Sequence, residues 1–116
     1  MATSDDCIFC RIRDKEIPGD FVFEDDRVFA IRDIHPRAPV HILIIPKEHI
    51  STVGDLSEEQ LPIMGHLTGV ANKVAQEQGI AETGYRLAVN KGPAANMTIW
   101  HLHMQLLGGR QLGDEG

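Results

Sequence analysis

Between residues 99 and 107 apolar and polar side chains alternate. Trp100, Leu102, Met104 and Leu106 occupy one set of positions; His101, His103 and Gln105 occupy the other. Successive side chains of a strand point to opposite faces, so this pattern predicts a strand with Trp100, Leu102, Met104 and Leu106 buried. Both imidazoles and the amide then stand in one row, and Gly108-Gly109 ends the strand. Upstream, Phe21–Glu24 and Arg27–Arg32 are short runs rich in Phe, Val and Ile, separated by Asp25-Asp26, which reads as a hairpin. Asp33–Pro39 carries two prolines that stop regular pairing. Val40–Pro46 is the most hydrophobic run and predicts the central strand. His41 interrupts it. A histidine there is costly unless hydrogen-bonded, so it either satisfies a buried partner or faces a site. Gly84–Asn90 reads as a fourth strand in chain order, followed by the small-residue loop Lys91–Asn96.

Two stretches change period. Cys7–Ile12 reads as a turn leading into a short helix. Ser57-Glu58-Glu59-Gln60 has the form of a capping box. Leu61, Met64, Leu67, Ala71, Val74 and Ala75 then recur at helical spacing, and Gly79 is a natural terminator. Pro62 fits poorly inside a helix capped by Ser57, so either the first turn is separate or the helix begins near Pro62. His66 and Met64 read as packing or surface residues. Five strands, one long helix and one short helix make an α+β domain: an antiparallel sheet with helices on one side. The expected organisation is a single domain over 1–116, with residues 1–6 a loose tail.

Composition narrows the function. The chain has 116 residues, is 42% hydrophobic and carries a formal net charge of −6. That charge argues against a general binder of nucleic-acid backbone. It does not argue against a local phosphate site, because backbone N–H groups and neutral polar side chains hold phosphate. No apolar run reaches the length of a membrane span, and the acidic start Met-Ala-Thr-Ser-Asp-Asp is unlike a signal peptide, so the cytoplasm is the expected location. Cys7 and Cys10 are too close together to staple a secreted domain. In a reducing compartment their spacing points to metal or redox work.

The motifs Cys7-Ile8-Phe9-Cys10, Lys15-Glu16-Ile17-Pro18, Asp33-Ile34-His35-Pro36, Ala38-Pro39-Val40-His41, Ile45-Pro46-Lys47-Glu48-His49, Asn90-Lys91-Gly92 and His101-Leu102-His103-Met104-Gln105 stand in one order, closed by Gly108-Gly109-Arg110. From Cys7 to Gln111 the chain resembles the histidine triad family in its Hint-like branch. The resemblance implies the fold of that family, a homodimer through the helix around 61–78 and the strand at 84–90, and attack on the α-phosphate of a nucleotide by the middle histidine. That residue is His103. Imidazole suits the task, being largely neutral near pH 7 and nucleophilic at its free nitrogen. The family implies a backbone carbonyl that fixes the tautomer. The candidate catalytic set is His103 with Gln105, His101 and His41. By the same resemblance Asn90 contacts phosphate, Asp33 takes the ribose hydroxyls, and Ile34, Phe9 and Ile31 line the base pocket. Ile34 and Ile31 read equally well as core.

Two departures from the family stand out. Its usual triad is His-x-His-x-His, whereas the third position here is Gln105. The galactose-1-phosphate uridylyltransferase branch also carries His-x-His-x-Gln and passes its nucleotide to another phosphate. Glutamine keeps a donor for phosphoryl oxygens but cannot shuttle a proton. The loop before the strand is Ala95-Asn96-Met97-Thr98 in place of a Gly-Gly-Gln-Ser type segment. Thr98 replaces the serine hydroxyl there, and Met97 cannot replace the amide. Bacterial members bind zinc through the Cys-x-x-Cys, the histidine after Pro-Lys and the first triad histidine. Those residues are Cys7, Cys10, His49 and His101, a closed Cys₂His₂ set suited to structural zinc; no organic cofactor is implied. Three functions follow. The first is a hydrolase of nucleoside 5′-phosphoramidates or related purine nucleotides, with a transferase or phosphorylase as its variant. The second is a nucleotide-binding scaffold dimer without catalysis. The third is a zinc-linked redox module.

Overall fold

The structure, a computed structural model, describes residues 7–114; the expected tail at 1–6 lies outside them. In chain order the elements are α1 (Ile8–Arg13), β1 (Phe21–Glu24), β2 (Val28–Arg32), β3 (Val40–Pro46), α2 (Pro62–Glu77), β4 (Tyr85–Ala88) and β5 (Met104–Gly108), with short 3-10 turns at Val53–Asp55 and Pro93–Ala95. The five strands form one antiparallel sheet in the order β1-β2-β3-β5-β4. The most apolar run is its middle strand, as its composition predicts, and every residue of β3 is buried.

Local chemistry sets the turns. Asp25 Oδ1 accepts the N–H groups of Arg27 and Val28, each at 2.8 Å, and closes the β1–β2 hairpin. Ser57 and Gln60 do form the reciprocal box: Ser57 Oγ accepts from the Gln60 N–H and Gln60 Oε1 from the Ser57 N–H. The box closes a separate turn, and α2 starts at Pro62, where a missing N–H costs nothing. Gly79, at φ +76°, ends the helix. His66 Nε2 reaches Asp25 Oδ2 at 2.8 Å and ties α2 to the hairpin turn.

The two helices lie on opposite faces of the sheet, not on one side. Ile63, Leu67, Val70, Ala71 and Val74 of α2 pack against Ile42 and Ile44 of β3 and against Leu102, Met104 and Leu106. Phe9, Cys10 and Ile12 of α1 pack against Phe29, Ile31, Leu43 and Ile45, the alternate positions of the same strands. The physical reason is the continuous apolar run of the central strands. With both faces apolar, each face needs a cover, and α1 is long enough to cover only part of the second.

The last strand begins later than the alternation suggests. Residues 100–103 leave the ladder because their backbone groups are engaged elsewhere. The Leu102 N–H donates to Ile50 O, and His101 O accepts from His103 Nδ1. From 102 to 106 the predicted alternation holds, with Leu102, Met104 and Leu106 in the core. Trp100 does not share that face; it is 47% exposed.

Candidate functional site

The site grows from the second face of the sheet. Beyond the end of α1 the sheet is open, and a cavity of about 530 Å³ lies there. His103 and Gln105 line it, two residues apart on one row, and Leu107 continues the row. Leu43 of β3 lies opposite Gln105 in the pairing register and completes the floor. Phe9 and Asp33 form part of one wall; Asn90, Met97, Thr98 and Ile99 belong to another.

The ring of His103 is fixed at one nitrogen. Its Nδ1 lies 2.8 Å from the His101 carbonyl oxygen. A carbonyl only accepts, so Nδ1 carries the proton and Nε2 keeps its lone pair. Phe9 stands edge-on to the ring, centroids 5.1 Å apart and planes at 78°. Burial holds the imidazole below its ordinary pKa, with the His101 carbonyl pulling the other way. The ring is therefore neutral and carries an unshared pair at neutral pH.

Gln105 is oriented from behind. His41 Nδ1 accepts the Arg37 N–H at 3.1 Å, which leaves the ring proton of His41 on Nε2. That Nε2–H donates to Gln105 Oε1 at 3.0 Å, and the Arg37 guanidinium donates to the same oxygen at 3.1 Å. Asp33 Oδ2 lies 3.5 Å from His41 Nε2. With its carbonyl end held twice, the carboxamide turns its NH₂ away from His41, and that NH₂ has no hydrogen-bond partner among the described residues. His41 thus satisfies a buried partner and does not line the cavity.

His101 departs from the expected row. It is fully buried, and its imidazole belongs to a different cluster. Its Nε2 donates to Pro46 O at 2.8 Å, which aims the Nδ1 lone pair at Cys7 Sγ (3.2 Å), Cys10 Sγ (3.5 Å) and His49 Nδ1 (3.2 Å). Cys10 Sγ lies 3.3 Å from His49 Nδ1. All four donor atoms lie within 4.8 Å of one another, close enough to converge on one metal ion, whose tetrahedral edges are roughly 3.3–3.8 Å. Without a cation, burial pushes the Cys10 thiol up to about 11, reinforced by Cys7, and pushes the His101 imidazole down to about 4. A buried thiol pair facing two imidazole lone pairs is a donor set that a divalent cation would turn into thiolates. His49 Nε2 is buried and has no hydrogen-bond partner among the described residues.

Of the predicted nucleotide contacts, Phe9, Asp33, Asn90, Met97 and Thr98 line the cavity. Ile31 is core, packed among Phe29, Leu43 and Ile45. Ile34 is neither core nor lining; it is 85% exposed on the loop after β2. Met97 is pinned in its loop, its sulfur accepting from the Gly92 N–H. Sequence reasoning missed Leu43 and Leu107, which extending the alternate row by one residue on each strand would have found. It also missed Arg37, Arg86 and Arg110 in the lining. They come from a loop, an edge strand and the tail, and no spacing links them.

The arrangement is a cavity with one neutral, tautomer-fixed imidazole beside an oriented amide donor. That is the equipment of a histidine nucleophile acting on an electrophile with anionic oxygens. The HIT domain family matches residues 14–112. A purine nucleoside phosphoramidase of Escherichia coli (strain K12) is 49% identical over 110 residues, covering 95% of this chain and 92% of that protein. A solved HIT family hydrolase from Clostridium thermocellum superposes with a TM-score of 0.94 at 50% identity, over 97% of this chain and 98% of that one. A zinc-bound histidine triad family protein from Mycobacterium smegmatis superposes with a TM-score of 0.79 at 31% identity, over 97% of this chain and 80% of that one. The chain belongs to the HIT domain family, among its hydrolases.

Proposed function

We propose that the protein is a nucleotide-binding hydrolase that cleaves nucleoside 5′-phosphoramidates through a nucleotidyl-histidine on His103. The observation that carries this is the His103 ring, held at Nδ1 by the His101 carbonyl while it lines the cavity. Nε2 attacks the α-phosphorus, the bond from phosphorus to nitrogen breaks, and the amine departs. Water then cleaves the nucleotidyl-histidine and returns the neutral ring. The Gln105 NH₂, Asn90 and Thr98 hold phosphoryl oxygens, Asp33 takes the ribose hydroxyls, and Phe9 packs against the base. His41 positions Gln105. His101 serves through its carbonyl oxygen. Gln105 has no titratable proton, so the departing amine draws its proton from water. The phosphoramidase of Escherichia coli, nearly half identical, supports this substrate class with a purine base.

Cys7, Cys10, His49 and His101 would hold a structural zinc in this reading, and the zinc-bound neighbour supports that metal. With no open position it would supply no chemistry beyond fixing the His101 backbone. The same reading keeps the homodimer. The interface would be α2 and the free edge of β4, whose residues are only partly buried, and size-exclusion chromatography tests it. Mass spectrometry after brief mixing with an adenosine 5′-phosphoramidate is expected to show the nucleotidyl adduct on His103. His103→Ala is expected to lose both adduct and turnover while keeping its melting temperature. Tight AMP binding without an adduct or turnover in the unsubstituted protein would favour the scaffold instead. A second reading, transfer of the nucleotidyl group to phosphate, is favoured by Gln105 and is scored by adding phosphate to the same assay.

A further inference from the structure

The third place of the His-x-His-x-Gln row carries no charge and no titratable proton. In the reading above it meets the phosphoryl oxygens, on which negative charge gathers during transfer. Behind it stands a residue that has both a charge and a fixed position. Arg37 lies in the loop between β2 and β3 and lines the cavity. It is engaged at three points. Its peptide N–H donates to His41 Nδ1 at 3.1 Å, its carbonyl oxygen accepts from the Arg110 guanidinium at 2.8 Å, and its own guanidinium donates to Gln105 Oε1 at 3.1 Å. That last contact is the one hydrogen bond of the Arg37 side chain among the described residues.

These contacts fix the orientation of the amide by chemistry. A guanidinium only donates, and a His41 ring that accepts at Nδ1 donates at Nε2. Both neighbours therefore require the carboxamide oxygen and leave its NH₂ turned away from them. The two holders are not equal. The His41 Nε2–H is divided between Gln105 Oε1 at 3.0 Å and Asp33 Oδ2 at 3.5 Å. The guanidinium gives its hydrogen bond to Gln105 alone, and it brings a charge. A cation on the carbonyl oxygen draws electron density from the amide nitrogen, and linked hydrogen bonds polarise one another, so the NH₂ becomes a stronger donor. We propose that Arg37 is a positioning residue for nucleotidyl transfer to His103. It holds and polarises the Gln105 carboxamide, so that a neutral side chain stabilises the charge developing on the phosphoryl oxygens. It acts through Gln105 and touches no reacting atom. The inference rests on the His103 reading above and extends it to a residue outside the row.

The test is a double-substitution cycle on the full chain. Substitution removes the guanidinium alone, since the N–H and carbonyl contacts of residue 37 belong to the backbone and survive in every variant. Quenched-flow mass spectrometry times formation of the nucleotidyl adduct from an adenosine 5′-phosphoramidate, and isothermal titration gives AMP affinity. Arg37→Met is expected to slow adduct formation about tenfold, less than the roughly hundredfold or greater loss when a donor on the reacting group is itself removed, with AMP affinity and melting temperature unmoved. Arg37→Lys, which keeps the charge, is expected to recover most of the rate. In a Gln105→Ala background the same Arg37→Met change is expected to alter the rate by less than about twofold, because the guanidinium then has nothing to act through. An equal loss in both backgrounds means that Arg37 acts independently of Gln105 and overturns the proposal. Weaker AMP binding at an unchanged rate makes the guanidinium a substrate contact and also overturns it. No adduct in the unsubstituted protein removes the His103 reading and this one together. An adduct there, with an unmoved rate in Arg37→Met, removes this one alone. Should Arg37→Met not fold, Arg37→Gln runs the same cycle.

Discussion

The two faces of the sheet are made by the same strands, yet one is hydrocarbon and the other is chemistry. Under α2, Ile42, Ile44, Leu67, Ala71, Val74 and Leu106 are all fully buried, and the contacts among them are apolar. On the other face α1 covers Phe29, Ile31 and Ile45, and past it lie His41, His103 and Gln105. His41 and Gln105 are about as buried as their neighbours in the core, at 3% and 6% exposed. The difference is therefore not in burial but in partners. One face is satisfied by close packing, and its residues could be exchanged for others of similar volume. The other is satisfied by a chain of specific hydrogen bonds from Arg37 through His41 to Gln105, where each atom has one acceptable role. A short helix on one face leaves room for a site; a long helix on the other holds the sheet that presents it.

Substitutions should separate the faces. The largest effect is expected from His103→Ala, with turnover lost by about a thousandfold or more and the melting temperature nearly unchanged. Leu67→Ala on the opposite face should do the reverse. It removes a fully buried side chain, costs about 2–5 kcal/mol in a denaturant titration, and leaves kcat of the remaining folded protein intact. Removal of metal by a strong chelator, or Cys10→Ser, should lower stability by roughly 2–4 kcal/mol, as cleavage of a long-range cross-link does. Metal analysis and a thermal melt on one sample check it, and an unmoved melt would refute the site. His66→Ala breaks the link from α2 to Asp25 and should cost about 1 kcal/mol without touching turnover. The smallest effect belongs to Glu24, whose carboxyl is held below its ordinary pKa by Lys47 and then Lys15. That stabilisation is present above the ordinary carboxyl pKa and is lost as the pH falls through the lowered value. Because Glu24 is solvent-exposed, Glu24→Gln should change stability by less than about 0.5 kcal/mol, and only above that window.

Much of the architecture was legible. The hairpin, the central strand and the periodic helix rest on short-range patterns: alternation, helical spacing and turn residues. Of the four clustered metal-ligand candidates, spacing marks only Cys7 and Cys10; His49 and His101 follow from the family resemblance. Misreadings arose where one residue's fate depends on a distant partner. Trp100 continues the apolar alternation but lies outside the sheet, because Leu102 bonds to Ile50 and His101 O to the His103 ring. His101 sits in phase with His103, yet turns to Cys7 and Cys10, more than ninety residues away. Alternation assigns a residue to a face only while the backbone stays in the ladder.

By itself the sequence determined the elements, the fold class and the residue types available for chemistry, because propensity and period act over a few neighbours. Only the tertiary structure decided which face α1 covers, which nitrogen of His103 is free, which way the Gln105 amide points and that three arginines from remote segments line one cavity. Those properties are distances between atoms far apart along the chain. They exist only once hydrophobic burial has closed the sheet and brought the loops to its open end.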